Sequence, residues 1–362
     1  MQRRMIALPA ALGLLLMLLS GAAMAQYKLT NLDSNQVAGA LHDDPLLVNG
    51  WGIVHGPGTP WWVSDNNSGW STLYDGTGKA QGLRVLIPTA GNGPDSPMGN
   101  NGPGTPTGVV FNPTAFTSAA EFQVGGWPSL FIFATLDGTI SGWTFKTNAN
   151  QAVIGWDNSG NGSVYTGLAI TNRPSGNLLF AADMANNRVD VYNASFTPMN
   201  MTGAFSDPAA IPAGFAPFGI RDINGIVYVT FASVSGGNGG FVEQFKEDGT
   251  PVTPGKALIS GAPLNQPWGI AAAPRNFGKF SNTLLIGNNT NTGTINAFDL
   301  SNGQFVGTIK DTNNKAIVIN QLWAIDFGDG MGGNGPTSEL FFAAGPGNSN
   351  QAGTFGSIIA TK

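Results

Sequence analysis

No cysteine occurs anywhere in the 362 residues. That excludes a disulfide framework, a cysteine nucleophile and a lipid-modified cysteine, so any stable fold must hold by packing alone. Histidine is nearly as scarce, with only His42 and His55 present. A metal centre of several histidines is excluded by count, and any Ser-His-Asp arrangement would have to use one of these two. Neither stands in a recognised nucleophile context, and both read as structural or exposed. His42 with Asp43 and Asp44 is still the one place where an imidazole meets two carboxylates. Charge is sparse too: Asp, Glu, Lys and Arg make up 10% of the chain against 42% hydrophobic residues, which excludes a disordered polyelectrolyte. The net charge is −5 and the basic residues are scattered, so neither nucleic acid nor an anionic membrane surface is an expected partner. A sustained helical period is also missing, and only about Thr114 to Phe122 could hold a short helix.

What is present begins with residues 1–25, where Arg3 and Arg4 precede an apolar run from Met5 to Leu19 and small residues end in Ala23-Met24-Ala25. This is the plan of a secretory signal peptide, with cleavage expected before Gln26. The run is short for a membrane span of about 20 residues, so no stable membrane anchor is expected. Export would deliver the protein to the periplasm or the cell exterior. Losing Arg3 and Arg4 takes the net charge from −5 to −7. Residues 26–362 carry no obvious linker and read as one domain, yet they exceed the usual size of a single compact core, which points to a repeated fold.

The repeats are visible as a recurring phrase: an aromatic or polar residue, then Gly, then an aliphatic. It occurs as Trp51-Gly52-Ile53, Thr107-Gly108-Val109, Thr166-Gly167-Leu168, Phe218-Gly219-Ile220, Trp268-Gly269-Ile270 and, with alanine for glycine, Trp323-Ala324-Ile325. Each phrase is followed by a second apolar run, such as LLFAAD at 178–183, and then by an alternating third, such as GTINAFDLSNG at 293–303. Alternation bounded by turn residues is the pattern of half-buried antiparallel strands. A fourth run, such as LRVLI at 83–87, completes five repeats, whereas in the sixth the chain ends after GTFGSIIATK. The alternating segment YKLTNL at 27–32 belongs to no repeat and is expected to supply the missing outer strand. The expected fold is an all-β six-bladed β-propeller, with blades starting near 49, 107, 166, 217, 267 and 321 and the ring closed by the N-terminal strand in the last blade.

The stretch Leu179-Phe-Ala-Ala-Asp-Met-Ala-Asn-Asn-Arg-Val-Asp-Val-Tyr192 resembles an NHL-type repeat, and SDNNSGWSTLYDGTG is a looser version. Over nearly the whole mature chain the pattern is similar to a family of exported bacterial propellers known as conserved hypothetical proteins. Asp44-Pro-Leu-Leu-Val-Asn-Gly-Trp-Gly-Ile53 and Gln266-Pro-Trp-Gly-Ile270 carry that likeness. Some members of the family end in a PEP-CTERM sorting tail, which this sequence lacks. The resemblance implies the propeller fold and leaves function open.

In a propeller the loop into the innermost strand and the loop from the second strand to the third lie on one face. Two sets of residues should therefore surround one mouth. The first set is Asn49, Trp51, Phe218, Gln266, Trp268, Gln321 and Trp323, whose rings either pack between blades or bind a small molecule, glycan or peptide. The second is Asp65, Asn66, Asp137, Asp183, Asn288 and Asn289, which either hold turn N–H groups or, with Asp65, Asp183 and Asn288 foremost, ligate Ca²⁺. The EF-hand spacing is missing. The glycine-rich stretch Gly91 to Gly104 lacks the Lys-Ser/Thr ending of a phosphate loop and reads as a long loop between the first two blades, and a second insert, Gly328 to Pro336, should lie on the opposite face of the ring. The expected function is binding or scaffolding. The alternative is a Ca²⁺-dependent hydrolase or lyase of the lactonase-like propeller type. Oligomeric state is not legible.

Overall fold

The computed structural model of the chain describes residues 26–91, 103–117, 121–347 and 351–361. Residues 1–25, where the sequence suggests a signal peptide, and most of the Gly91 to Gly104 stretch lie outside the described residues. Six four-stranded antiparallel sheets account for nearly all of the regular structure, with one additional two-stranded hairpin, Gln123–Val124 with Trp127–Pro128. Among the described residues there is no α-helix, and the part of the candidate helix that is described, as far as Thr117, forms turns. The innermost strands are Gly50–Val54, Pro106–Phe111, Tyr165–Ile170, Phe215–Ile223, Pro267–Ala272 and Leu322–Phe327. Each touches the innermost strand of both neighbouring blades, and blade 6 touches blade 1, so the sheets form a closed ring around an axis. The molecule is a six-bladed β-propeller.

The recurring phrase is explained by this ring. All six inner strands shift register at the phrase, a bulge in the same place in every blade. The phrase glycine lets the next blade's backbone approach: a Cβ on Gly52 would lie 2.3 Å from Thr107 O, and one on Gly219 would lie 2.2 Å from Trp268 O. No side chain fits at those distances. The exception, Ala324, stands where blade 6 meets blade 1.

Alternating side chains of every strand face one neighbouring blade or the other. Six apolar clusters accordingly fill the six blade-to-blade interfaces, and a seventh lies on the axis. The outer strand of blade 6 is the N-terminal segment Tyr27–Ser34, paired antiparallel with Thr354–Ala360. It extends two residues beyond the 27–32 read from the sequence. Tyr27 is buried, donates from its hydroxyl to Phe277 O and accepts from Phe280 N, which pins the start of this strand to blade 5.

Candidate functional site

All inner strands run from one face of the ring, here the upper face, to the other. The first residue of each phrase reaches the axis near the upper end, where four of the six are aromatic. Trp51 and Trp323 stack with centroids 3.5 Å apart and planes 16° from parallel. Trp268 meets both edge-on at 6.5 and 6.0 Å, and Phe218 closes against Trp323 at 5.7 Å. Trp51, Phe218 and Trp323 are only 6 to 7% exposed, so the rings fill the upper half of the channel as a plug. In blades 2 and 3 the position is held by Thr107 and Thr166, whose hydroxyls donate to inner-strand carbonyls of the following blade, Tyr165 O and Phe218 O. Two of the indole N–H groups are also taken up: Trp268 Nε1 donates to Thr166 O across the channel, and Trp323 Nε1 to Asn49 Oδ1. Trp51 Nε1 has no acceptor among the described residues.

The amides of the first set serve the loops around this plug. Asn49, Gln266 and Gln321 stand two positions before a tryptophan and share a left-handed backbone, with φ of 53°, 50° and 51°. Asn49 Nδ2 donates to Asn66 Oδ1, Gln266 Nε2 to Gly237 O and Gln321 Nε2 to Asn291 Oδ1. The structure thus brings Trp51, Phe218, Trp268, Trp323 and Asn49 together, whereas Gln266 and Gln321 turn to their own rims.

The second set does not assemble around one point. Asp183 accepts from Val164 N and Asn186 Nδ2, Asn288 from Asn265 N, and Asp137 from Ala90 N. The amides of Asn66 and Asn289 donate to Pro106 O and Leu322 O. Asp65 is fully buried and accepts from the Thr72 N–H and hydroxyl, with its other oxygen unpartnered. Desolvation, reinforced by the neighbouring Asp44 and Asp33, pushes its carboxyl well above the ordinary range. No three His, Asp or Glu side chains converge as metal ligands among the described residues. Of the two histidines, His42 lies on the exposed loop beside Asp33, its backbone N–H donating to Leu32 O. His55 lies at the lower face with Nε2 3.0 Å from Phe327 O, its ring edge-on to Trp61 and 3.6 Å from the Asp329 carboxylate.

Below the plug the channel is open. A well of about 200 Å³ is lined by the inner strands of all six blades, Ile53, Val109, Leu168, Ile220, Ile270 and Ile325 among them, with Trp268 on the plug side. Its lower rim carries Arg221, whose guanidinium spans three blades. Nη1 donates to Ile270 O at 3.1 Å and Ile325 O at 3.4 Å, and Nη2 to Asp326 Oδ1 at 2.8 Å. Asp222, next in the chain, instead turns to accept from Gly225 N in the Asn224-Gly225 hairpin, and burial pushes its carboxyl up to about 6. The sequence reading had missed this pair. The signal was there: three residues after the start of each phrase stand Val54, Val110, Ala169, Arg221, Ala271 and Asp326, and the two charged members of that series are the two that meet.

Comparison with known proteins fits this class and adds no activity. No family profile matches the sequence. Two uncharacterised proteins of Acanthamoeba polyphaga mimivirus are similar along most of their length. One is 28% identical, covering 89% of this chain and 78% of its own; the other is 29% identical, covering 89% and 83%. Among solved structures, a glucose dehydrogenase superposes with a TM-score of 0.54 at 12% identity, covering 92% of this chain and all of the other. A calcium-binding protein, regucalcin, from Agrobacterium tumefaciens gives 0.51 at 12% identity, covering 88% and 92%. These two likenesses concern the fold alone.

Proposed function

We propose that this protein is a small-molecule-binding propeller whose ligand enters the axial well from the lower face. The observation that carries the reading is the contrast along one channel: an aromatic plug closes the upper half, and a well lined by aliphatic residues and by polar atoms, Arg221 among them, remains in the lower half. Concave sites that combine apolar surface with a few convergent polar groups are where proteins hold small molecules. The well is below the usual pocket range of about 300 to 1,000 Å³, so it suits a compact molecule better than a glycan chain or peptide. Export belongs to the same proposal, on the strength of the residues 1–25 pattern, and places binding in the periplasm or outside the cell.

The calcium-dependent hydrolase or lyase reading has less support. Asp65, Asp183 and Asn288 each serve a turn in their own blade or the loop beside it. The test of the binding reading is a ligand-observed titration with compact aromatic probes on the mature protein and on Val54→Phe, which places a ring at the well's lower wall. Probe binding lost in that variant, with an unchanged melting temperature, supports the well. Binding that survives it argues for another site. Metal analysis combined with a melt in chelator decides the alternative, since one bound ion per chain and a chelator-induced drop in melting temperature would favour it.

A further inference from the structure

The well is asymmetric in chemistry as well as in access. Its lining mixes aliphatic residues with polar atoms, and its plug end is an indole whose N–H is already taken by Thr166 O. Phe111, packed 6.0 Å from the exposed Phe116, lines it on the blade 2 side. All its cationic character comes from Arg221 on the opposite side. A guanidinium carries five N–H donors. Three point at Ile270 O, Ile325 O and Asp326, so Nε–H and one Nη2–H have no acceptor among the described residues. Arg221 is also 36% exposed, so those donors are not sealed in protein.

Charge decides what they would accept. Asp326 already neutralises Arg221 and is itself only 14% exposed, so its negative charge is poorly screened. An incoming carboxylate would meet that charge at once, with Asp222 at the same rim. An incoming ammonium would find Asp326 already paired and would have to approach the Arg221 guanidinium to reach it. A neutral carbonyl oxygen completes the donors without adding charge.

We infer that the well takes a compact neutral carbonyl compound, an amide, ester or lactone with an apolar body, whose oxygen is received by Arg221 and whose body lies against Trp268 and the six aliphatic side chains. The inference rests on the binding reading above. Size agrees with it, since an apolar cavity of about 150 Å³ accepts benzene.

The experiment is an NMR titration with four probes of one shape: toluene, benzamide, benzoate and benzylammonium. Benzamide is expected to bind at least about tenfold more tightly than toluene, and benzoate and benzylammonium each more weakly than benzamide. Arg221→Met should remove the advantage of benzamide and leave toluene unchanged, while Arg221→Lys, which keeps the charge and loses the fork, should fall between them. Equal binding of benzamide and toluene, tightest binding of benzoate or of benzylammonium, or a benzamide affinity untouched by Arg221→Met would overturn the ligand class while leaving the well in place. Binding of none of the four, or binding that Val54→Phe leaves intact, would overturn the well itself and the ligand class with it.

Discussion

The two halves of the channel are built from the same six strands and do opposite things. At the upper end the repeat position carries large rings that satisfy one another, and their polar atoms are mostly engaged by protein. At the lower end the same strands carry aliphatic residues that pack into the blade interfaces and leave the axis open, and one arginine reaches over the gap. Moving three residues along a strand changes a core into a cavity. The difference teaches that symmetry in a propeller fixes where each repeat position falls, while the side chain placed there decides whether the axis is filled. Changes in the upper half should therefore register as stability, and changes in the lower half as binding.

The largest effect should come from the phrase glycines, which both halves share. Gly219→Val places carbon atoms on the Trp268 carbonyl, a backbone atom that cannot step aside. A loss of at least about 4 kcal/mol is expected in denaturant unfolding, or no folded protein at all. A near-normal unfolding midpoint would sever the link between phrase and ring. Next is the plug: Trp323→Ala removes the stacking partner of Trp51 and should cost about 3 kcal/mol or more, with little change if the rings were mere decoration.

A third, smaller effect belongs to the upper face of the seam between blades 6 and 1. Asp33 is fully buried, and desolvation, aided by the Asp44 charge and opposed by backbone N–H groups of Asp44 and Ser34, pushes its carboxyl up to about 7. In the unfolded chain it titrates near 4, so between about pH 4 and pH 7 the folded state holds the extra proton. Stability should then fall as pH rises from about 4 to about 7 and level off above that. Melts across this range check it, and Asp33→Asn should flatten the slope. The smallest effect should be Arg221→Met at the lower rim. With the Arg221 side chain over a third exposed, the pair contributes about 1 kcal/mol, so a large fall in melting temperature would show that the rim is structural and blur the division between the halves.

Most of the ring was legible in the sequence because period and alternation encode it directly. Even the outer strand of the last blade could be read, as a strand deficit at one end and an orphan alternating segment at the other. The small hairpin Gln123–Val124 with Trp127–Pro128 was not, since two-residue strands leave no period to detect. The site was half legible. Repeat position placed Trp51, Phe218, Trp268 and Trp323 at the axis, but whether four rings line a mouth or fill it depends on how their volumes meet, which no single repeat records. Arg221 and Asp326 lie 105 positions apart and became a pair only through the ring. Aligning the repeats one residue at a time, rather than by their aromatic starts, would have exposed them.

The pairing of Tyr27–Ser34 with Thr354–Ala360 has a consequence for timing. Ser34 donates to Gly353 across 319 positions of chain. A polypeptide made or threaded from its N-terminus presents this strand before all six blades and its partner after the other five, so the outer edge of blade 6 cannot form until Thr354–Ala360 has been made. Until then the early blades stand as an open arc with a bare inner edge, and closure pays a long loop entropy in one late step. Moving the chain ends to a loop between two other blades, with the natural ends joined, would let blade 6 assemble locally and should speed the last step of folding without altering the finished ring.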